Sequence, residues 1–212
     1  MKVVAVSQRI DQFPERYETR DALDHRLISL LQTIGYLPVP VPNSLVKTIP
    51  GGGCDHQVLS AWVAAVKPKA FVLSGGNSIG QCLDRDLTEG YLLDYAELHR
   101  LPLLGICRGM QMIAHWAGAG LEPVQGHVRT QHELVGEITG GANSYHEFSL
   151  TDCPGGFKVL ARSEDGEIEA IGHRSLPWEG WMWHPEREKI LVARDVQRIQ
   201  ALFSDLAVRT EH

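Results

Sequence analysis

Long apolar runs, an excess of basic residues and paired cysteines are all missing from this sequence, and each absence excludes a class of protein. No stretch approaches the roughly 20 apolar residues that a membrane-spanning helix needs, and residues 1–6 lack the basic flank of a signal peptide. Acidic side chains outnumber basic ones, 26 to 20, for a formal net charge of −6. This balance provides no general attraction to nucleic acid or anionic membrane. We therefore expect neither as a partner.

The four cysteines indicate free thiols rather than a disulfide scaffold. They lie at positions 54, 82, 107 and 153, without a Cys-x-x-Cys pair. A chain of 212 residues can bury the core of one ordinary domain without disulfides. We expect a reducing, cytoplasmic location and one domain over residues 1–212, with no second catalytic domain.

Short apolar runs alternate with longer amphipathic stretches, which is typical of an α/β fold with helices on both faces of a mostly parallel sheet. The pattern predicts strands over residues 2–7, 37–41, 70–73 and 101–106, and helices over 19–34, 55–66, 86–100, 108–116 and 192–208. Beyond residue 120, short runs at 157–161, 168–172 and 180–184 predict an antiparallel extension of the sheet.

Cys107 stands alone between an apolar strand and a helix, with Gly105 and Gly109 close on either side. Glycines permit a tight turn there. A thiol on such a turn projects above the carboxyl edge of the sheet, and the positive end of the helix stabilises its thiolate. The pattern indicates a nucleophile elbow; the alternative is a buried structural cysteine, the commoner fate of this residue.

His184 and Glu186 supply the base and the orienting group that a thiol nucleophile needs. Alternate side chains of a strand share a face, so an extended run would let the two touch while Pro185 points away. Taken alone, such a pair is more often a solvated surface ion pair, and its weight comes from the elbow.

Two backbone N–H groups can stabilise negative charge on an attacked oxygen. One belongs to Arg108, directly after the thiol, and the other to a glycine in the turn Ser74-Gly75-Gly76, which follows a predicted strand. Glycine pairs are common in ordinary turns, so the position at the carboxyl end of a strand carries the inference.

Four segments together resemble the class I glutamine amidotransferase superfamily: Leu-Ser-Gly-Gly at 73–76, Gly-Ile-Cys-Arg-Gly-Met-Gln at 105–111, Asn-Ser-Tyr-His at 143–146 and Trp-His-Pro-Glu at 183–186. The resemblance implies a three-layer, flavodoxin-like fold. It further implies a Cys107, His184 and Glu186 triad, an oxyanion hole at Gly76 and Arg108, and a glutamyl site of Gly75, Gln111, Ser144, Tyr145 and His146. Arginine rather than leucine at 108 resembles the γ-glutamyl hydrolase branch.

The leaving group is addressed by basic residues near the ends of strands. Arg9, Arg16 and Arg20 follow the first predicted strand, and their alternative role is a solvated helix start. Segments 7–11, 20–24 and 126–130 resemble the γ-glutamyl-CDP-amidate hydrolases of bacterial surface-polysaccharide pathways. That resemblance implies release of glutamate from a cytidine diphosphate carrying a γ-glutamyl phosphoramidate. His127 and Arg129 would then join these three arginines around the substrate.

Neither a metal nor another cofactor is expected. Zinc could be considered for His127, His132 and His146, but their spacing matches no local metal motif and a thiol nucleophile requires no metal. The absence of a Gly-rich phosphate loop for ATP favours hydrolysis over synthesis.

Three alternatives remain for the function, besides hydrolysis of a nucleotide-linked substrate. They are a γ-glutamyl-γ-aminobutyrate hydrolase, a subunit that delivers ammonia to a separate synthetase, and a glutamine-binding module without chemistry. An intact triad argues against the last. The expected partner is a small γ-glutamyl molecule, and the family resemblance suggests a homodimer.

Overall fold

The computed structural model describes residues 1–49 and 53–204, and most of its strands form one nine-stranded sheet. The strands are β1 (Lys2–Val6), β2 (Arg9–Phe13), β3 (Glu18–Ala22), β4 (Tyr36–Pro40), β5 (Lys47–Ile49), β6 (Gly53–Asp55), β7 (Ala70–Leu73), β8 (Leu103–Ile106), β9 (Leu121–Pro123), β10 (Val128–Gly136), β11 (Gly140–Tyr145), β12 (Phe148–Leu150), β13 (Phe157–Arg162), β14 (Ile168–His173) and β15 (Trp178–Trp181). The helices are α1 (His25–Thr33), α2 (Gln57–Val66), α3 (Leu83–Leu98), α4 (Arg108–Trp116) and α5 (Ala193–Ser204).

The sheet has a parallel half and an antiparallel half, in the spatial order β11-β10-β13-β14-β15-β8-β7-β1-β4. Neighbours from β4 to β15 pair in parallel. Neighbours from β15 to β11 pair antiparallel. The predicted α/β architecture with an antiparallel extension is therefore confirmed.

Helices cover both faces of the parallel half, because its strands are apolar on both sides. Every residue of β7 and β8 is buried, as expected for strands between two helical layers. Helices α1 and α5 pack on one face, and α2, α3 and α4 on the other. Each fully buried Leu or Ile contributes about 1.5–3 kcal/mol to folding. Within the described residues, no helix has the length and apolarity to cross a membrane.

The predicted helix over 19–34 is wrong in its first part, because residues 18–22 form β3. This strand pairs antiparallel with β2 along five residues, from Arg9 opposite Ala22 to Phe13 opposite Glu18. Helix α1 starts only at His25, because the Asp24 carboxylate accepts the N–H of Arg26 at 2.9 Å and caps the helix. Segment 9–22 is thus a hairpin that projects beyond the end of β1.

Other boundaries shift by a few residues for local reasons. His56, rather than Asp55, is the N-cap of α2, although the Asp55 carboxylate still accepts the N–H of Gln57 at 2.8 Å. Helix α3 already begins at Leu83, and β8 only at Leu103. Strands β13 and β14 lie within a residue of their predicted bounds. Residues 205–208 of the predicted last helix lie outside the described residues.

The junction between β8 and α4 requires glycine at two positions. A Cβ on Gly105 would lie 2.6 Å from the backbone of Gly109. A Cβ on Gly109 would lie 2.7 Å from the carbonyl carbon of Leu73, and closer still to its oxygen. Since real Cβ atoms do not approach backbone this closely, α4 can start against the end of β7 only with both glycines present.

Gly109→Ala should therefore destabilise the fold, by about 3 kcal/mol, because a methyl group would push α4 away from β7. Gly90→Ala is the matched control, since Gly90 lies inside α3 and a Cβ there would meet nothing within 4 Å. It should instead stabilise the protein by about 0.5–1 kcal/mol through helix propensity. Urea unfolding of both variants measures the difference, and equal signs would contradict the steric argument.

Candidate active site

Cys107 occupies the turn between β8 and α4 in a backbone conformation that L-residues rarely adopt. Its φ is 51° and its ψ −106°, and its N–H donates to the carbonyl of Trp181 at 2.7 Å. Such strain persists only where the surrounding packing holds it, as it does at nucleophile elbows. The structure thus has the predicted elbow geometry, with the thiol residue 8% exposed.

His184 and Glu186 touch, although not because they share a strand. The Nδ1 of His184 lies 2.6 Å from Oε1 of Glu186, and both side chains are buried. β15 ends at Trp181, and Pro185–Arg187 forms a 3-10 turn that carries the carboxylate back onto the imidazole. Pro185 is buried in that turn. The predicted contact is present, and the extended geometry proposed for it is wrong.

Asn143 fixes the backbone of His184 from strand β11. Its side-chain amide donates to the carbonyl of His184 at 2.8 Å and its oxygen accepts the His184 N–H at 3.0 Å. Tyr145, two residues further along β11, places its ring edge-on to the imidazole at 5.9 Å. The guanidinium of Arg187 lies 4.7 Å above the Tyr145 ring. The antiparallel half of the sheet therefore holds the histidine in place.

The environment of His184 favours its charged form. Burial lowers the pKa, but hydrogen bonds with Cys107 and Glu186, and the negative charges of both groups, outweigh burial and raise the pKa to about 9. An imidazolium beside a cysteine stabilises the thiolate, which is the nucleophilic form. Thiol, imidazole and carboxylate are thus connected in a chain that supports nucleophilic catalysis.

The turn after β7 packs directly against this chain. A Cβ on Gly75 would lie 2.6 Å from Cε1 of His184. Gly76 has a φ of +130°, and a Cβ there would lie 2.7 Å from both Arg85 and Arg9. Both glycines are therefore required by close approach.

Arg85 orients the peptide between these two glycines. Its Nη2 donates to the carbonyls of Ser74 at 2.6 Å and Gly75 at 3.1 Å. In a planar trans peptide the C=O and the following N–H point in opposite directions. The Gly76 N–H therefore points away from Arg85.

The side chain of Arg108 serves a buried ion network, while its backbone N–H lies in the first turn of α4. Its guanidinium pairs with Asp86 and Glu89 of α3. Glu89 also pairs with Arg85 at 3.0 Å and accepts the Ser7 hydroxyl at 2.7 Å. Sequence reasoning missed Arg85 and Glu89, although their spacing of four residues in a helix was an available signal.

The structure brings only one of the four predicted arginines to the site. Arg9 lines a cavity of about 330 Å³ together with Gly75, Gly76, His184 and Glu186. A second groove of about 610 Å³ continues from Arg9 along β2.

The other three arginines lie elsewhere on the surface and line neither cavity. Arg16 pairs with Glu15 at the tip of the hairpin, and Arg20 pairs with Glu18 and stacks on Phe13. Arg129 is exposed in a bulge at the start of β10. They follow the hairpin and the bulge, which sequence reasoning did not foresee.

The predicted glutamyl residues divide into two groups. Gln111 in α4 is buried and donates to the carbonyl of Phe148 at 3.1 Å, while the Tyr145 ring faces His184. The Ser144 hydroxyl instead donates to the carbonyl of His127 at 2.7 Å. His146 and His127 are buried against each other, with 3.2 Å between Nε2 and Nδ1. The last three side chains make internal contacts, so only the backbone at 144–146 is available for recognition.

A family comparison agrees with this combination of fold and site. The glutamine amidotransferase class-I family matches the chain over residues 23–193, about four fifths of its length. The chain belongs to that family.

Individual relatives fall into more than one functional group. The chain is 33% identical over 142 residues to the γ-glutamyl-CDP-amidate hydrolase of Campylobacter jejuni, covering 64% of this chain and 70% of that protein. It is 36% identical over 126 residues to the glutamine-hydrolysing subunit of GMP synthase from Methanothrix thermoacetophila, covering 55% and 66%. The crystal structure of a Thermoplasma acidophilum protein, described as a GMP synthase subunit, aligns with a TM-score of 0.72 at 21% identity, covering 97% and 96%. This last likeness concerns the fold alone.

The raised pKa of His184 can be tested by NMR titration of histidine-labelled protein. We expect the imidazolium to persist until about pH 9 and the pKa to fall in Glu186→Gln, which removes the charged partner. Because the folded pKa exceeds the unfolded value of 6.5, this charge stabilises the fold fully below about pH 6.5, and the contribution disappears as the pH rises through about 9. The signal is assigned by its loss in His184→Gln. A wild-type titration near pH 6.5 would contradict the coupling.

Proposed function

We propose that this protein hydrolyses a γ-glutamyl amide bond, with Cys107 as nucleophile and His184 and Glu186 as base and orienter. The observation that carries the proposal is the contact chain of a strained elbow thiol, a charged imidazole and a buried carboxylate. Membership in an amidotransferase family supports the same chemistry.

In the proposed reaction the Cys107 thiolate attacks the γ-carbonyl carbon and forms a tetrahedral oxyanion. Collapse breaks the C–N bond, and His184 donates its proton to the departing nitrogen, leaving a γ-glutamyl thioester. His184 then accepts a proton from water, whose oxygen attacks the thioester and releases glutamate and the thiolate. Glu186 keeps the imidazole oriented throughout.

The N–H groups of Gly76 and Arg108 would stabilise the oxyanion. Arg85 turns the Gly76 N–H away from itself by holding the carbonyl of Gly75, and the Arg108 N–H belongs to the first helical residue of α4, where N–H groups have no partner within the helix. Gly75, Gln111, Tyr145 and the backbone of residues 144–146 would enclose the glutamyl group. These roles are assigned by position.

For the leaving group we propose a nucleotide-linked phosphoramidate, as in γ-glutamyl-CDP-amidate, used in bacterial capsule or lipopolysaccharide synthesis. The Campylobacter jejuni relative bears that substrate in its name. Arg9 on the cavity wall, with an open groove beyond it, supplies a cation where an anionic group would lie. Arg16, Arg20 and Arg129 have no part in this proposal. A cytoplasmic location and a homodimer remain predictions.

A second candidate is a glutaminase that delivers ammonia to a separate synthetase. The similarity to the glutamine-hydrolysing subunits of GMP synthases favours it. Such a protein would hydrolyse glutamine slowly alone and faster with its partner, whereas a hydrolase is fully active alone. Glutamate release from glutamine, γ-glutamyl-γ-aminobutyrate and γ-glutamyl-CDP-amidate by the isolated protein distinguishes these functions. A preference for glutamine would favour the ammonia-delivering role.

Cys107→Ser should lower glutamate release by more than about 10³-fold, because the hydroxyl is a far weaker nucleophile beside the same imidazole. Cys153→Ser is the matched control, since this free cysteine lies in the loop before β13 and should retain activity. Circular dichroism checks that both variants fold. Intact-mass spectrometry of wild type quenched during turnover should show a γ-glutamyl adduct. Undiminished activity in Cys107→Ser would remove the triad assignment.

Arg9→Ala should reduce kcat/KM for γ-glutamyl-CDP-amidate about 10–100-fold, the loss expected for one charge-assisted contact. The same variant should change kcat/KM for γ-glutamyl-γ-aminobutyrate less than about 3-fold. Arg16→Ala is the control, because this side chain is exposed at the hairpin tip. Equal losses on both substrates in Arg9→Ala would show that Arg9 supports the fold of the site rather than a phosphate.

A further inference from the structure

A buried group of histidines and a glutamate lies in the antiparallel half of the sheet, apart from the catalytic chain. His127 lies just before β10, His132 within it, His146 just after β11, and Glu169 in β14. His127, His146 and Glu169 are each 3% exposed or less. Burying this many titratable groups is costly unless each has a partner.

The outer nitrogens of two of these rings face groups that only accept hydrogen bonds. Nε2 of His127 lies 2.9 Å from the Asp165 carboxylate. Nδ1 of His146 lies 2.9 Å from the carbonyl oxygen of Phe148. Each outer nitrogen must therefore carry the proton, and the inner nitrogen of a neutral ring then carries a lone pair.

These inner nitrogens meet the carboxylate of Glu169 in a nearly equilateral triangle. Nδ1 of His127 lies 3.2 Å from Nε2 of His146 and 3.3 Å from Oε1 of Glu169, and the third side measures 3.4 Å. Three lone pairs at these distances repel one another unless a positive charge lies between them. In a tetrahedral zinc site with bonds of about 2.0–2.1 Å, ligand atoms are separated by about 3.3–3.4 Å.

A fourth ligand is at hand in His132. Its Nε2 is buried without a hydrogen-bond partner among the described residues, and the same is true of Oε1 of Glu169. One ligand atom each from His127, His132 and Glu169 lie within 4.8 Å of one another. The two unpartnered atoms are thus directed into the same space as the triangle.

We propose that His127, His132, His146 and Glu169 bind a Zn²⁺ ion. Imidazoles with one carboxylate suit zinc rather than magnesium or calcium, which prefer oxygen ligands. Asp165 and the Phe148 carbonyl supply the outer hydrogen bonds that histidine ligands characteristically make. No metal was expected from sequence because the ligands come from three strands and share no local motif.

The ion would tie β10, β11 and β14 together beside the catalytic histidine. Asn143 and Tyr145 of β11 contact His184, so the zinc has a structural role and takes no part in the chemistry. The site stands independently of the proposed function.

The test uses full-length protein without a histidine tag, because a tag would bind metal itself. Plasma mass spectrometry should find about one zinc per chain after purification without chelators. After stripping, titration with Zn²⁺ against a chromophoric chelator gives the affinity, and Co²⁺ should produce the absorption bands of a tetrahedral site. Zinc below about 0.1 per chain together with no competition for Zn²⁺ would overturn the proposal.

Variants then locate the ion. His132→Ala should weaken Zn²⁺ binding at least 100-fold, and Asp165→Asn, which removes only an outer hydrogen bond, about 10–100-fold. His25→Ala, an exposed histidine at the start of α1, should leave the affinity unchanged. If His132→Ala does not fold, Asp165→Asn and the wild-type cobalt spectrum decide the question. Equal affinity in all three variants would place the metal elsewhere and overturn the assignment.

Discussion

The close approach of α4 to the end of β7 is the constraint on which the rest of the site depends. Gly109 lies against the carbonyl of Leu73, so the first turn of the helix stands beside the glycine turn that follows β7. Because the helix can start there only after a sharp reversal, Cys107 takes its positive φ and presents the thiol at the sheet edge. One steric condition thus brings together the thiol, the N–H of Arg108 and the turn at Gly75.

Beneath this contact, a charged network joins the same pieces by hydrogen bonds. Arg85 and Arg108 share Glu89, which also accepts the hydroxyl at the end of β1, and Arg85 holds the carbonyls of Ser74 and Gly75. Buried ion pairs add little net stability because desolvation offsets their attraction. Their value here is positional, since they set the direction of the Gly76 peptide. Steric fit places the elbow, and the ion network orients the turn opposite it.

Prediction from sequence succeeded where the determinants are local. The elbow was predictable because Gly105 and Gly109 flank Cys107 within one short segment. The contact of His184 with Glu186 was also predicted, but a 3-10 turn produces it rather than a strand. The hairpin over residues 9–22 was missed because its polar strands carry little apolar alternation. The ion network and the histidine group were not foreseen because tertiary folding alone brings their members together.

The two halves of the candidate substrate site differ in rigidity for a structural reason. On the glutamyl side, buried groups from α4, β11 and the segment after β15 are held by hydrogen bonds in several directions. On the other side stands the hairpin, docked by Asn77, whose amide exchanges two hydrogen bonds with the backbone of Ile10 at 2.8 and 2.9 Å. Asn77 directly follows Gly76, and the Arg9 side chain packs against that glycine. A group bound at Arg9 therefore acts on the same turn that would hold the oxyanion, so the hairpin can couple the identity of the leaving group to catalysis.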